Sequence, residues 1–207
     1  MEILEEKEAK QRLVPQLLAH NLLPIIGAGF SRGSKTPHAC VPNGSELSEI
    51  MRNAILTHSI SYKEDTLMEM KFPDLSDIFL DERIVPIPTR LEIFKKYFID
   101  ADLLGYKKDF LKIWPYIYTI NVDDAIERAT NYRTILPYAG LRENSTNLFK
   151  KKEYVIKLHG DASHEVESEN TNLIFSFSQY IGAIERPENA GLIKSLRSDY
   201  IQKILYS

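Results

Sequence analysis

Leu22-Leu23-Pro24-Ile25-Ile26-Gly27-Ala28-Gly29-Phe30-Ser31 is the stretch whose reading decides the fold of this chain. An apolar run that stops abruptly at a glycine reads as a buried strand of a parallel sheet, because a strand covered on both faces needs no polar alternation. The glycines after it let the backbone approach an anion closely, and N–H groups at the start of a following helix would stabilise that anion. The third glycine of the usual dinucleotide fingerprint is missing, so a plain tight turn also accounts for these residues.

The same grammar recurs downstream. Tyr116-Ile117-Tyr118-Thr119-Ile120 predicts a second strand, followed by Asn121-Val122-Asp123 and a helix whose inner face is Ile126 and Ala129. Further strands are predicted at Arg133–Leu136, Tyr154–Leu158 and Asn172–Phe175. Between the first two strands lies a helical insertion spanning about residues 60–112, broken by Pro73, Pro86, Pro88 and Gly105. Its aromatics, among them Phe72, Phe79, Phe94, Tyr97 and Phe98, read as core rather than as a ligand platform. Asn43 stands at capping-box spacing from Glu46, ahead of a helical stripe of Leu47, Ile50, Met51, Ala54 and Ile55. The first segment, to about His20, is helical with Leu13, Leu17 and Leu18 on one side; Pro15 either kinks it or opens a second helix.

Strands alternating with helices predict an α/β fold with a doubly wound, Rossmann-like parallel sheet, as one domain over residues 1–207. The chain closes on an amphipathic pattern of Leu192, Ile193, Leu196, Tyr200, Ile201, Ile204 and Leu205. In a doubly wound fold such a helix leads into another strand, so the C-terminal edge of the sheet is expected to be truncated at Ser207.

Composition narrows the function. A net charge of −3 with scattered Lys and Arg argues against direct nucleic-acid binding, and Lys150-Lys151-Lys152 reads as a solvated turn. The single Cys40 excludes an intrachain disulfide and a zinc site of the multi-cysteine type. The opening MEILEEKEAKQRL is too charged for a signal peptide, and no apolar run reaches the roughly 20 residues of a membrane span. A soluble, cytoplasmic protein with no membrane partner is expected.

Chemistry is expected at the carboxyl ends of the strands, where open α/β sheets bind ligands. Asn121 and Asp123 either cap the helix that follows or hold a ribose hydroxyl, a water or a nicotinamide amide. Val155-Ile156-Lys157-Leu158-His159-Gly160-Asp161 delivers a histidine from an apolar strand into a glycine turn. Such a histidine is either structural or a general base, since its ordinary pKa near ~6.5 suits proton transfer at neutral pH.

The order GAGFS, TINVD, KLHGD, each after a strand, resembles the sirtuin family's glycine-rich loop, asparagine/aspartate motif and histidine-glycine motif. The resemblance implies that Gly27, Ala28, Gly29, Phe30 and Ser31, with Asp123 and Asp161, bind NAD, and that Asn121 and His159 are catalytic. The four zinc cysteines and the Pro-Asp-Phe-Arg type sequence of protein-deacylating sirtuins are absent, so no zinc is expected and deacylation is disfavoured. The chain is more similar to the NAD-hydrolysing sirtuin-like domains of bacterial anti-phage defence effectors, where a segment comparable to Phe177-Ser178-Gln179-Tyr180 also follows. That likeness implies an NAD glycohydrolase (NADase) yielding nicotinamide and ADP-ribose, acting in antiviral defence as a homo-oligomer with a fused or separate sensor. The alternative is a non-catalytic module sensing NAD or ADP-ribose.

Overall fold

The computed structural model describes residues 5–19, 22–136 and 153–168, together with 173–176, 178, 179, 181, 182, 192, 194 and 196–198. Its centre is a four-stranded sheet in the order β1-β2-β4-β3, formed by β1 (Ile25–Ile26), β2 (Tyr116–Thr119), β3 (Arg133–Ile135) and β4 (Tyr154–Lys157). Every pairing is parallel. The chain is therefore an open parallel α/β structure, compatible with a Rossmann-like fold.

Side-chain alternation along the strands gives each face its own core. Ile117 and Val155 point into a large cluster that includes Met51, Ile55, Phe79 and Phe94, whereas Tyr116, Tyr118 and Ile156 point the other way, onto Ile135 and Leu192. Leu192 and Leu196 lie on the second face, so the described part of the C-terminal stripe covers the sheet opposite the main helical layer. Ile193, Tyr200, Ile201, Ile204 and Leu205 lie outside the described residues.

Between β1 and β2 the chain forms α2 (Gly44–His58), α3 (Glu64–Glu69), α4 (Phe72–Leu80), α5 (Ile87–Phe98) and α6 (Gly105–Leu111). The capping box at Asn43 and Glu46 is present in both directions, at 2.9 and 2.7 Å. Leu47, Met51, Ala54 and Ile55 are buried, as their spacing predicts. Pro73 and Pro88 sit in the first turns of α4 and α5, where the missing N–H costs nothing. These prolines start helices. Phe79 meets Phe94 edge-on and Phe94 lies tilted against Phe98, with centroids 6.2 and 6.3 Å apart.

The first helix, α1 (Glu6–Leu18), runs through Pro15 as one element; Leu17 packs partly buried on the main core, while Leu13 is 53% exposed and Leu18 74%. Two expectations change on the structure. The first strand is limited to Ile25–Ile26; Pro24 accepts from the Tyr118 N–H at 3.0 Å but has no N–H to extend the ladder. Leu173–Phe175 form no strand. Ser176 and Gln179 cap each other instead: the Gln179 N–H donates to Ser176 Oγ at 3.2 Å and the Ser176 N–H to Gln179 Oε1 at 3.1 Å. That reciprocal cap turns the chain into a helix where the sheet would have continued. Asn172, Phe177 and Tyr180 lie outside the described residues. No helix among the described residues is long and apolar enough to cross a membrane.

Candidate functional site

Ile26, Thr119 and Lys157, the last residues of β1, β2 and β4, stand in register across three neighbouring strands. Gly27–Ser31, Asn121–Asp123 and His159–Asp161 consequently leave the sheet along one edge. The Ile120 N–H donates to the Ile26 carbonyl at 3.0 Å and the Leu158 N–H to the Thr119 carbonyl at 2.8 Å, carrying the register past the strands. Thr119 locks the level: its hydroxyl donates to the Ile26 carbonyl at 3.0 Å and accepts the Asn121 N–H at 2.9 Å.

The glycine-rich loop and the asparagine/aspartate motif meet through a buried hydrogen-bond chain. The Asn121 side-chain amide donates to Ser31 Oγ, which donates to Asp123 Oδ2 at 2.8 Å. Ser31, Asn121 and Asp123 are each at most 3% exposed. Asp123 Oδ1 also accepts the Ala125 N–H at 3.2 Å, at the start of α7 (Ala125–Thr130), so both of its oxygens are held. Asn121 Oδ1 is different: it is buried without a hydrogen-bond partner. An acceptor in that state loses about 1–3 kcal/mol unless something fills it.

His159 is half-buried at the end of β4, and burial pushes its imidazole below the ordinary 6.5, which keeps it neutral near pH 7. Its carbonyl accepts the Ile174 N–H at 2.9 Å, which ties the 173–176 segment to this edge of the sheet, the crest formed by the three strand ends. Gly160, next in sequence, has φ near 90°, a left-handed conformation that glycine adopts without strain. Asp161 is held from two sides. Its Oδ1 accepts the Ser163 N–H at 2.7 Å, opening α8 (Ala162–Ser168), and its Oδ2 lies 3.1 Å from Lys157 Nζ.

Gly29 does not need to be glycine for backbone reasons. Its φ is not positive, and a Cβ there meets nothing within 4 Å. Nor does the loop open a helix: residues 28–33 form successive turns, and α2 begins only at Gly44. Even so, the N–H groups of Ala28, Gly29 and Ser31 have no partner among the described residues.

Two residues that sequence reasoning passed over sit beneath the crest. Lys157 is fully buried; its Nζ donates to the Asp123 and Val122 carbonyls at 2.7 and 3.3 Å and lies 2.9 Å from Glu127 Oε1 on α7. Burial alone would lower the Lys157 pKa, but the carboxylates of Glu127, Asp161 and Asp123 outweigh it and hold the ammonium charged. One cation then faces three acids. Burial raises the Asp123 carboxyl, against Lys157 and Ser31, and pushes Glu127 up to about 7. The signals were present in sequence: a lysine inside the apolar run Val155-Ile156-Lys157-Leu158, and a glutamate beside Ile126 in the first turns of the helix that follows Asp123.

Glu127 gives a pH-dependent prediction. A carboxyl whose pKa rises on folding adds most stability below its unfolded value near 4.5 and loses it as pH climbs through about 7. Glu127→Gln, which mimics the protonated form, is expected to match the parent near pH 4.5. At pH 8 it should exceed the parent by on the order of 1–3 kcal/mol. Urea unfolding at the two pH values checks this, and a pH-independent difference would mean that Glu127 stays ionised throughout.

Among the described residues, no group of three His, Cys, Asp or Glu side chains is placed to hold a metal ion. No protein-family model and no curated protein matches the chain.

Proposed function

We propose that the crest binds NAD and hydrolyses its N-glycosidic bond, NAD⁺ and water giving nicotinamide, ADP-ribose and a proton. The observation that carries the reading is the unfilled, buried acceptor Asn121 Oδ1, held by the Ser31–Asp123 chain two residues past Thr119, as His159 lies two residues past Lys157, the register partner of Thr119. A ribose hydroxyl or a water is the right donor for that oxygen. Nicotinamide leaves neutral, so the chemistry asks for a placed nucleophile, stabilisation of the developing oxocarbenium charge and a base to take one proton. Asn121 places the water or the hydroxyl, and neutral His159 takes the proton. Asp123 positions Ser31, and the Gly27–Ser31 turn receives the pyrophosphate.

With the sirtuin-like motifs, this reading makes the chain an NAD-depleting effector of bacterial anti-phage defence, with NAD as substrate and a sensor as partner. Release of nicotinamide from NAD by the purified protein, followed by chromatography with and without an acetylated peptide, tests the activity. No release would leave the second reading, an NAD or ADP-ribose sensor. One feature favours that reading: the His159 ring has no orienting hydrogen bond among the described residues, whereas an activated base usually has one.

The loop offers a separate test. Gly29→Val adds its side chain in open space at a residue with negative φ, so the melting temperature should stay within a few degrees of the parent. NAD affinity, measured by calorimetry, is expected to fall about tenfold or more, because a branched side chain blocks the approach of phosphate to the turn. Unchanged affinity would show that the turn does not meet the ligand.

A further inference from the structure

Three lysines lie on or just after α6, and two have counter-charges. Lys108 Nζ is 2.6 Å from Asp102 Oδ1 and Lys112 Nζ is 3.6 Å from Asp109 Oδ1. Lys107 has no carboxylate partner among the described residues. It reaches instead to the glycine-rich turn, 77 positions earlier in the chain, where its Nζ donates to the Phe30 carbonyl and lies 5.5 Å from the Phe30 ring centroid. The contact is held by packing: Phe30 stacks obliquely on Phe110 at 5.9 Å, and Phe110 meets Trp114 edge-on at 5.8 Å.

An ammonium has three donors, and the Phe30 carbonyl takes one. The turn it meets carries the N–H groups of Ala28 and Gly29, which have no partner among the described residues, whereas the Ser31 N–H shares the trans peptide of the Phe30 carbonyl and points away from the ammonium. Arg32, the nearest other cation in sequence, is directed away to Glu46 at 3.5 Å. A half-buried cation without a carboxylate partner, beside two consecutive backbone donors that no protein acceptor takes, is an arrangement that attracts an anion. We infer that Lys107 and the Gly27–Ser31 turn together form a phosphate site, with Lys107 as the residue that selects pyrophosphate-bearing ligands. The ligand class rests on the NAD reading; the anion site rests on the contacts alone. The helical segment is thus more than packing, since it carries the cation of the site.

Calorimetry on the 207-residue chain and its Lys107→Met and Lys107→Arg variants tests this with ADP-ribose, inorganic pyrophosphate and graded salt. Lys107→Met is expected to weaken ADP-ribose about tenfold and to flatten the salt dependence of binding, with an unliganded melting temperature near the parent's. Lys107→Arg should recover most of the affinity and the salt dependence. Undiminished ADP-ribose affinity in Lys107→Met would overturn the inference and leave the NAD reading standing. Weakened affinity with an unchanged salt dependence would also overturn it, by making Lys107 a strut for the turn. Pyrophosphate binding that Lys107→Met abolishes, in a protein that binds neither NAD nor ADP-ribose, would keep the anion site and remove the NAD reading. Failure of the parent to bind either probe would remove both.

Discussion

Replacing His159 with alanine is expected to lower NAD hydrolysis by roughly 100-fold or more while the fold survives, because that is the usual loss when a general base is removed. The side chain is half-buried, and no hydrogen bond of its ring holds the structure together among the described residues. Backbone contacts through the Leu158 N–H and the His159 carbonyl hold the strand end, and alanine keeps both. The melting temperature should therefore move little. Burial lowers the imidazole pKa, so kcat/KM of the parent should be flat at neutral pH, with an acid limb centred below the ordinary imidazole value as the base is protonated. The alanine variant should lose that acid limb. Full turnover with a normal melting temperature would dismiss His159 as the base and assign the proton to another group, with hydrolysis itself still standing. Asn121→Ala, which also removes the unfilled acceptor, is expected to weaken both binding and turnover.

Much of this site could be read from the sequence, because local rules produce its parts. Three apolar runs, each stopped by a glycine or a polar pair, marked Gly27–Ser31, Asn121–Asp123 and His159–Asp161, and the parallel register sets them along one edge. Strand order was less legible. That β4 separates β2 from β3 follows from pairing between distant segments, which no local window carries. Leu173-Ile174-Phe175 looked like a strand because a short apolar run has no period of its own. The Ser176-x-x-Gln179 spacing, a capping-box signature, was the signal against it.

The glycines show a different limit. Gly29 drew attention through its motif, yet positive φ falls at Gly160 and Gly33, because φ depends on where the chain must go next. Lys107 and Lys157 were hidden for opposite reasons. Lys107 lies in a helical segment with no site motif and becomes relevant only when α6 packs on the turn. Lys157 stood inside a recognised motif, but its partner Glu127 comes from another element, and only the fold joins them.

Replacing Lys157 with methionine is expected to cost about 3–5 kcal/mol, the usual penalty for stranding buried charges by removing their partner. At this chain length that amounts to a fall of roughly 6–20 °C in melting temperature. Methionine fills nearly the same volume, so the loss is electrostatic rather than a cavity. Without the ammonium, Glu127 and Asp161 lose contacts at 2.9 and 3.1 Å, and the Asp123 and Val122 carbonyls lose their donor. Those carbonyls belong to the turn that carries Asn121, so the placement of Asn121 should loosen and ligand affinity should fall with stability. The remaining carboxyls can relieve part of the repulsion by taking up protons, so the defect should shrink as pH is lowered toward 5. Adding Glu127→Gln should recover part of the loss at pH 8, since it removes one of the stranded charges. A double variant no more stable than Lys157→Met alone would mean that the two side chains are not coupled. In that case Lys157 would serve the turn through its carbonyl contacts, and the buried acids would already be neutral in the folded protein.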